Sequence, residues 1–402
     1  MLMALGLLDR GYRVTLVTNR DSDAIVRGRV MSSQCMFGEA LRIERDLGSR
    51  CWDSTCPTVD GIGLAVAHPE QPGRKVIDWA ARLNRPAMSV DQRIKMSVWL
   101  NDARSRGAEV ELREAGVPDL ESLTASHDLV LVSAGKGSVA DLFLPDPRRT
   151  QFHQPQRTLA CTYLHGLEPT EDFSRVAFSI VPGVGECVVF PALTVSGPCH
   201  IVMFEGIPGG PMDCFNDMPS PKQHLERSRA LLKTYLPWEY ARCSNVQLTD
   251  EYATLSGRFT PCVRQPVATL PSGRHVLGMA DSVVLNDPIT GQGANSAAKC
   301  CEIYLDSILR HGDGPFSADW MLNTFERYWD YAQYVVQWTN TMLMPRPAHI
   351  LKVLAAAGEH ASLASSIANS FDDPREFFPW WIDASESERC IAAHSGVKRA
   401  GF

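Results

Sequence analysis

The sequence predicts an α/β protein in which a doubly wound domain carries a β-rich second domain and ends in a helical region. Three stretches support this. Residues 1–22, MLMALGLLDRGYRVTLVTNRDS, read as helix, Gly, strand and polar turn, the second half of a βαβ unit. Residues 274–301, RHVLGMADSVVLNDPITGQGANSAAKCC, read as a buried strand from His275 to Met279, a polar loop, a Gly-rich turn and a helix opening at about Ala294. Between them, residues 157–215 alternate short β-runs with PGVG, SG and PGGP turns, as an antiparallel sheet requires.

Composition sets the frame. The chain has 402 residues, 45% of them hydrophobic and 21% charged, enough for two or three globular domains. Its net charge of -7, without a basic run, argues against nucleic acid as a partner. Its apolar runs are shorter than a membrane span, so no membrane partner is expected. Twelve cysteines without C-x-x-C spacing predict reduced thiols and a cytoplasmic location. No H-E-x-x-H, zinc-spaced Cys/His cluster or G-x-S-x-G occurs, so no metal is expected.

Taken in order, the first helix ends at Gly11 and the strand runs from Tyr12 to Thr18. Residues 27–52 alternate and then turn helical from about Phe37; residues 58–87 are strand-like; a helix from Val90 reaches Gly107 and a further strand. SHDLVLVSAGKGSVADLF is a strand and a glycine turn. Gly135, Gly137 and Ala140 match G-x-G-x-x-A there, but no helix, strand and acid follow at the required distances, so this is a return strand rather than a dinucleotide fingerprint. From about Phe316 the chain is helical and aromatic, with Trp329, Tyr334 and Trp338 spaced for one helix face.

The 274–301 stretch has the layout of an anion site. A helix N-terminus presents unpaired N–H groups and partial positive charge, and Gly291 and Gly293 remove the Cβ atoms that would hold a ligand away. Asp281, at the strand end, is placed to accept hydrogen bonds from sugar or ribityl hydroxyls. A plain strand, turn and helix cap is the alternative.

The string GMADSVVLNDPITGQGANSAA resembles the second FAD-contacting segment of the class A-type flavoprotein monooxygenases. Its DP-x-x-GQGAN form is most similar to the styrene and indole monooxygenases, the oxygenase halves of two-component systems. The resemblance runs from Met1 to near Trp381. It implies a Rossmann-like FAD-binding domain of the p-hydroxybenzoate hydroxylase kind with a β-rich substrate domain and C-terminal helices. The implied division gives the FAD domain residues 1–57, 89–147 and 264–315, a small sheet over the flavin 58–88, the substrate domain 148–263 and the helical region 316–402. Ala280 stands where the family has Gly. The chain opens inside the first helix, so the family's strand ending in G-x-G-x-x-G is expected upstream, beyond a late start codon or lost by truncation.

The same resemblance assigns residues. Pro288, Gly291, Gln292, Gly293, Ala294 and Asn295 would surround the flavin, with Asp281 on its hydroxyls. Thr18, Asn19 and Arg20 occupy the adenosine turn without the usual acid, and Arg29 and Arg93 are further cofactor contacts. Ser32, Ser33, Gln34 and Met36 would face flavin and substrate, and alternating Phe178, Val189, Phe190 and Phe204 would line an apolar pocket. The bland readings stand beside these: Ser32 and Ser33 as helix caps, Arg93 as a solvated helix-face residue, half of the alternating residues as ordinary core.

The implied function is epoxidation of styrene-like aryl alkenes or oxygenation of indole by O2 through a flavin C4a-hydroperoxide. FAD is the cofactor and an NADH-dependent flavin reductase the partner, with a homodimer left open. Ala134-Gly135 lacks the Asp that single-component hydroxylases use for nicotinamide. Two alternatives remain: a single-component NAD(P)H-dependent hydroxylase, and a crippled FAD-binding protein without its phosphate loop. A flavin halogenase is disfavoured because no G-W-x-W-x-I-P run occurs.

Overall fold

A computed structural model of the chain describes residues 1–48, 52–71, 73–217 and 220–395. Its α/β part is built on short parallel strands. Thr15–Thr18 pairs in parallel with Glu109–Leu112, and Leu131–Val132 pairs in parallel with His275–Gly278, which Val267–Thr269 flanks antiparallel. These are two separate pieces of sheet, and among the described residues no strand joins them. Around them pack the helices Leu2–Leu8, Gln92–Ser105 and Gly293–His311, whose buried Leu5, Leu100, Cys300 and Leu305 contribute to this half of the molecule.

The other half is an eight-stranded sheet. Its order is Gln247–Leu248, Thr158–His165, Gly197–Gly206, Gly185–Thr194, Arg175–Val181, Thr58–Ala67 and Lys75–Met88, with Thr254–Gly257 also on Thr158–His165. Residues 58–88 are thus no separate small sheet. Thr58–Ala67 pairs in parallel with Arg175–Val181, from Gly61↔Arg175 to Val66↔Ile180, so this hairpin extends the large sheet.

Both faces of that sheet are covered. Gly185–Thr194 is buried at every position, which explains its nearly unbroken apolar sequence. Because successive side chains point to opposite faces, Val188, Phe190, Ile201 and Met203 form one core with the C-terminal helices. Val189, Val202 and Phe204 form another with the helix Pro221–Tyr235.

The long helix Ala318–Leu343 links the two halves. Trp329 and Trp338 do not share a face, as their spacing suggested. Nine residues at about 100° each end on opposite sides of a helix. Trp329 stacks on Phe325 at 6.2 Å, whereas Trp338 meets Phe377 at 4.3 Å and Phe371 at 4.9 Å. Among the described residues eleven cysteines are free, eight of them buried, and no helix is long and apolar enough to cross a membrane.

Candidate functional site

The chain turns sharply after His275–Gly278. Ala280 takes a left-handed backbone, φ 51°, at the position where the resembling pattern has Gly. Asp281 follows. Part of the residue is exposed, yet the protein enclosing its other sides raises its pKa to about 6, against the opposing influence of Arg264. Across from it lies the turn after Leu131–Val132: a Cβ built on Gly135 would stand 3.5 Å from the Asp281 Cβ. Fully buried Ser282 pins that turn, accepting from the Ala134 N–H at 2.7 Å and donating to the Ala134 carbonyl at 3.0 Å.

The glycine turn comes next. The Asp287 carboxylate accepts from the Ile289 N–H at 3.1 Å, Pro288–Thr290 make one 3-10 turn, and Gly291 closes it at φ 66°. Nothing lies within 4 Å of a Cβ built on Gly291 or Gly293, so the space beside both is open. The first helical bond runs from Ser296 N to Gln292 O at 2.8 Å. Gly293, Ala294 and Asn295 therefore stand in the helix's first turn, where N–H groups have no partner inside the helix. An anionic or polar ligand fits this cradle, and added Cβ atoms would fill it.

The side chains of the motif point the other way, into the protein. Thr290 Oγ1 meets Thr339 Oγ1 at 2.7 Å, Gln292 Nε2 donates to the Phe371 carbonyl at 2.9 Å, and Asn295 bonds the backbone of Cys35 and Phe37. Polar side chains fix the turn, and its backbone is left to face the open space.

Beneath the turn lies an apolar cavity. Ile289 and Thr290 form one wall, Phe178 and Ile180 of the sheet another, and Trp338, Phe371 and Trp381 the rest. Glu186 is its one ionisable wall residue among those described, and Arg157 and Arg346 hold it at 2.7 and 2.6 Å. A larger cleft of about 340 Å³ opens beside Asn295 and Lys299. Its charges pair with one another, Arg85 with Asp372 at 2.5 Å and Arg375 with Asp373 at 2.5 Å, so it reads as a salt-bridged seam.

A glycine cradle at a helix start, an acid at the preceding strand end and an apolar cavity behind them are features that a polar or anionic ligand with an apolar neighbour would fit. Residues 135–242 match the family described as "Styrene monooxygenase A putative substrate binding domain". The chain is 24% identical over 400 residues to styrene monooxygenase StyA of Pseudomonas fluorescens, covering 96% of this chain and 93% of that one. It is 25% identical, with the same coverage, to StyA of a Pseudomonas species. The chain is a flavin monooxygenase related to the styrene monooxygenases. Two solved structures share its fold: flavin-dependent brominase Bmp2 (TM-score 0.64, 13% identity, 98% of this chain and 96% of that one) and p-nitrophenol 4-monooxygenase PnpA from Pseudomonas putida DLL-E4 (0.61, 14%, 93% and 94%).

Elsewhere in the monooxygenase the predicted residues divide. Phe190 and Phe178 lie on the sheet face that carries the cavity, with Phe178 in its wall. Phe204 and Val189 lie on the opposite face, Phe204 stacked on Phe215 at 5.8 Å, so neither lines the pocket. The residue parity of neighbouring strands decides this, and it cannot be read from one strand alone.

Arg93 is also placed differently. It is 1% exposed, with its guanidinium taken up by Asp91 (2.9 Å), Asp250 (2.8 Å), Thr194 (3.1 Å) and the Gly28 carbonyl (3.3 Å). It ties the start of Gln92–Ser105 to the sheet and is not a solvated helix-face residue.

The segment before Phe37 is anchored rather than free. Ser32 Oγ accepts from Gln92 Nε2 at 2.5 Å, Gln34 Nε2 donates to the Val90 carbonyl at 2.7 Å, and Met36 pairs with Met88 through its backbone. Ser33 Oγ contacts Met203 Sδ at 3.3 Å, so neither serine caps the helix Gly38–Asp46, whose N-cap is Phe37. At the turn after Thr15–Thr18, Thr18 Oγ1 donates to the Arg20 carbonyl at 3.2 Å and Arg20 Nη2 reaches Met31 Sδ at 3.1 Å, while Asn19 and Arg29 are exposed. The aromatic wall from Trp338, Phe371, Phe377 and Trp381 was not predicted. Its signal was present in the clustered aromatics of the last eighty residues.

Proposed function

We propose that this monooxygenase oxygenates small apolar aromatics, epoxidising styrene-like aryl alkenes or oxidising indole, with FAD as its flavin and a separate NADH-dependent flavin reductase as the source of reduced FAD. One observation carries the reading: Ile289 and Thr290 belong at once to the glycine turn and to the wall of the apolar cavity. A substrate in that cavity is separated from the turn by no other element.

The chain's own contributions follow. Asp281 accepts hydrogen bonds from FAD hydroxyls, and the helix start at Gly293 to Asn295 favours negative charge beside it. Thr18, Asn19, Arg20 and Arg29 are assigned to the adenosine end. Bound FAD supplies the activation of O2 and the oxygen transfer, which none of these side chains provides. The aromatic wall excludes water and aligns a flat ring by apolar contact. Oxygen transfer to an alkene needs no general base, consistent with a wall whose one carboxylate is tied to two arginines. The Ala134-Gly135 turn offers no acid for a nicotinamide, which favours delivery of reduced FAD from outside.

Ligand binding tests the chamber directly. Trp79, Trp338 and Trp381 line it, so styrene or indole should quench tryptophan emission saturably. Leu64→Phe, which narrows the cavity, should weaken that binding about tenfold, a difference of roughly 1.4 kcal/mol. Equal quenching in both proteins would place the substrate elsewhere.

A further inference from the structure

Two glutamates face each other on neighbouring strands of the sheet. Glu186 and Glu205 are in direct register, their side chains on the same face, toward the site. Like charges in that arrangement repel. Glu186 is neutralised: Arg157 binds both its oxygens, at 2.7 and 3.1 Å, and Arg346 adds a third contact at 2.6 Å. Glu205 has no such help. It is 0% exposed, and no hydrogen-bond donor among the described residues reaches either carboxyl oxygen. Its hydrogen-bond neighbour is Asp287, itself 1% exposed and the first residue of the glycine turn.

Two carboxylates in contact, both out of water, cannot both be ionised; one must hold a proton and bridge to the other. Asp287 already accepts from the Ile289 N–H, which favours its charged form. We propose that Glu205 carries the shared proton and hydrogen-bonds the Asp287 carboxylate, making it a positioning residue that fixes the Asp287–Pro288 turn against the sheet.

The charged surroundings agree. Burial is the largest influence on both groups and pushes Glu205 far above the usual carboxylate range. The Asp287 charge and Glu186 add to that push, and Arg157, engaged with Glu186, opposes it. Asp287 is also raised by burial, and the hydrogen bond from Glu205 acts to lower it. One negative charge, rather than two, thus lies under the turn.

The proton can be seen without flavin. Infrared difference spectra of the purified protein at pH 8 should show a protonated-carboxyl C=O band that shifts in D2O, disappears in Glu205→Gln and survives in Asp287→Asn. A band absent from wild type, or kept in Glu205→Gln and lost in Asp287→Asn, would overturn the assignment.

The positioning role rests on the reading that this turn faces FAD, and affinity tests it. Glu205→Gln still donates an N–H to Asp287 and should bind FAD within about twofold of wild type, whereas Glu205→Leu should bind about tenfold more weakly. Wild-type affinity in Glu205→Leu would overturn the role. If wild type bound no flavin, the FAD reading and the positioning role would fall together, while the infrared result would still decide the proton.

Discussion

Asn295 clasps the backbone on both sides of Met36: its Nδ2 donates to the Cys35 carbonyl at 2.8 Å and its Oδ1 accepts from the Phe37 N–H at 2.9 Å. One amide side chain at the start of a helix thereby joins the glycine turn to a segment 260 residues earlier. The Asn suits this because it is donor and acceptor at once.

Asn295→Ala should therefore lower stability by about 2 to 4 kcal/mol, since it leaves two buried backbone groups without partners. Asn295→Asp should not rescue it, because a carboxylate oxygen would face the Cys35 carbonyl. Urea unfolding followed by circular dichroism measures both, and a loss below about 1 kcal/mol in either variant would show that the clasp contributes little.

Asp281 sets a pH dependence. Its pKa, raised to about 6 mainly by burial, means that the free protein is ionised there at pH 8 and protonated at pH 5. A protonated carboxyl accepts hydrogen bonds from hydroxyls less well, so FAD affinity should be flat above pH 7 and weaken as pH falls through about 6. Asp281→Asn should bind FAD weakly at pH 8, by about 1 to 3 kcal/mol, and lose that dependence. Isothermal titration across this range checks it, and an unchanged profile in the variant would assign the titration to another group.

The Ala280 backbone predicts a gain. A left-handed φ of 51° costs a residue with a Cβ about 1 kcal/mol relative to Gly. Ala280→Gly should raise stability by up to about that amount, with the greater freedom of unfolded Gly reducing it. A thermal melt resolves the sign, and a lower Tm would show that the loop is not strained.

What the sequence made legible was local. The strand ending near Gly278, the glycine turn and the helix opening within a residue of Ala294 all lie in one stretch, where strand period, Pro, Gly and helix start follow one another. The pocket was less legible because it depends on pairing. Phe190 and Phe204 look equivalent in sequence, and only the register Phe190↔Ile201 sends them to opposite faces. Arg93 looked free because its main acceptor, Asp250, lies 157 residues away. Glu205, an acid inside the apolar run IVMFEG, could have been flagged as a buried charge in search of a partner, but its neighbour Asp287 could not have been named.

In the proposed function, reduced FAD reaches a turn backed by an apolar chamber and nicotinamide is not handled by this chain. Purified protein mixed with FAD, NADH and styrene under air, with and without an added flavin reductase, tests it most directly. No NADH oxidation is expected from the protein alone, and styrene epoxide, or coloured oxidation products from indole, only when the reductase or chemically reduced FAD is supplied. Substrate-stimulated NADH oxidation with no reductase present would contradict it.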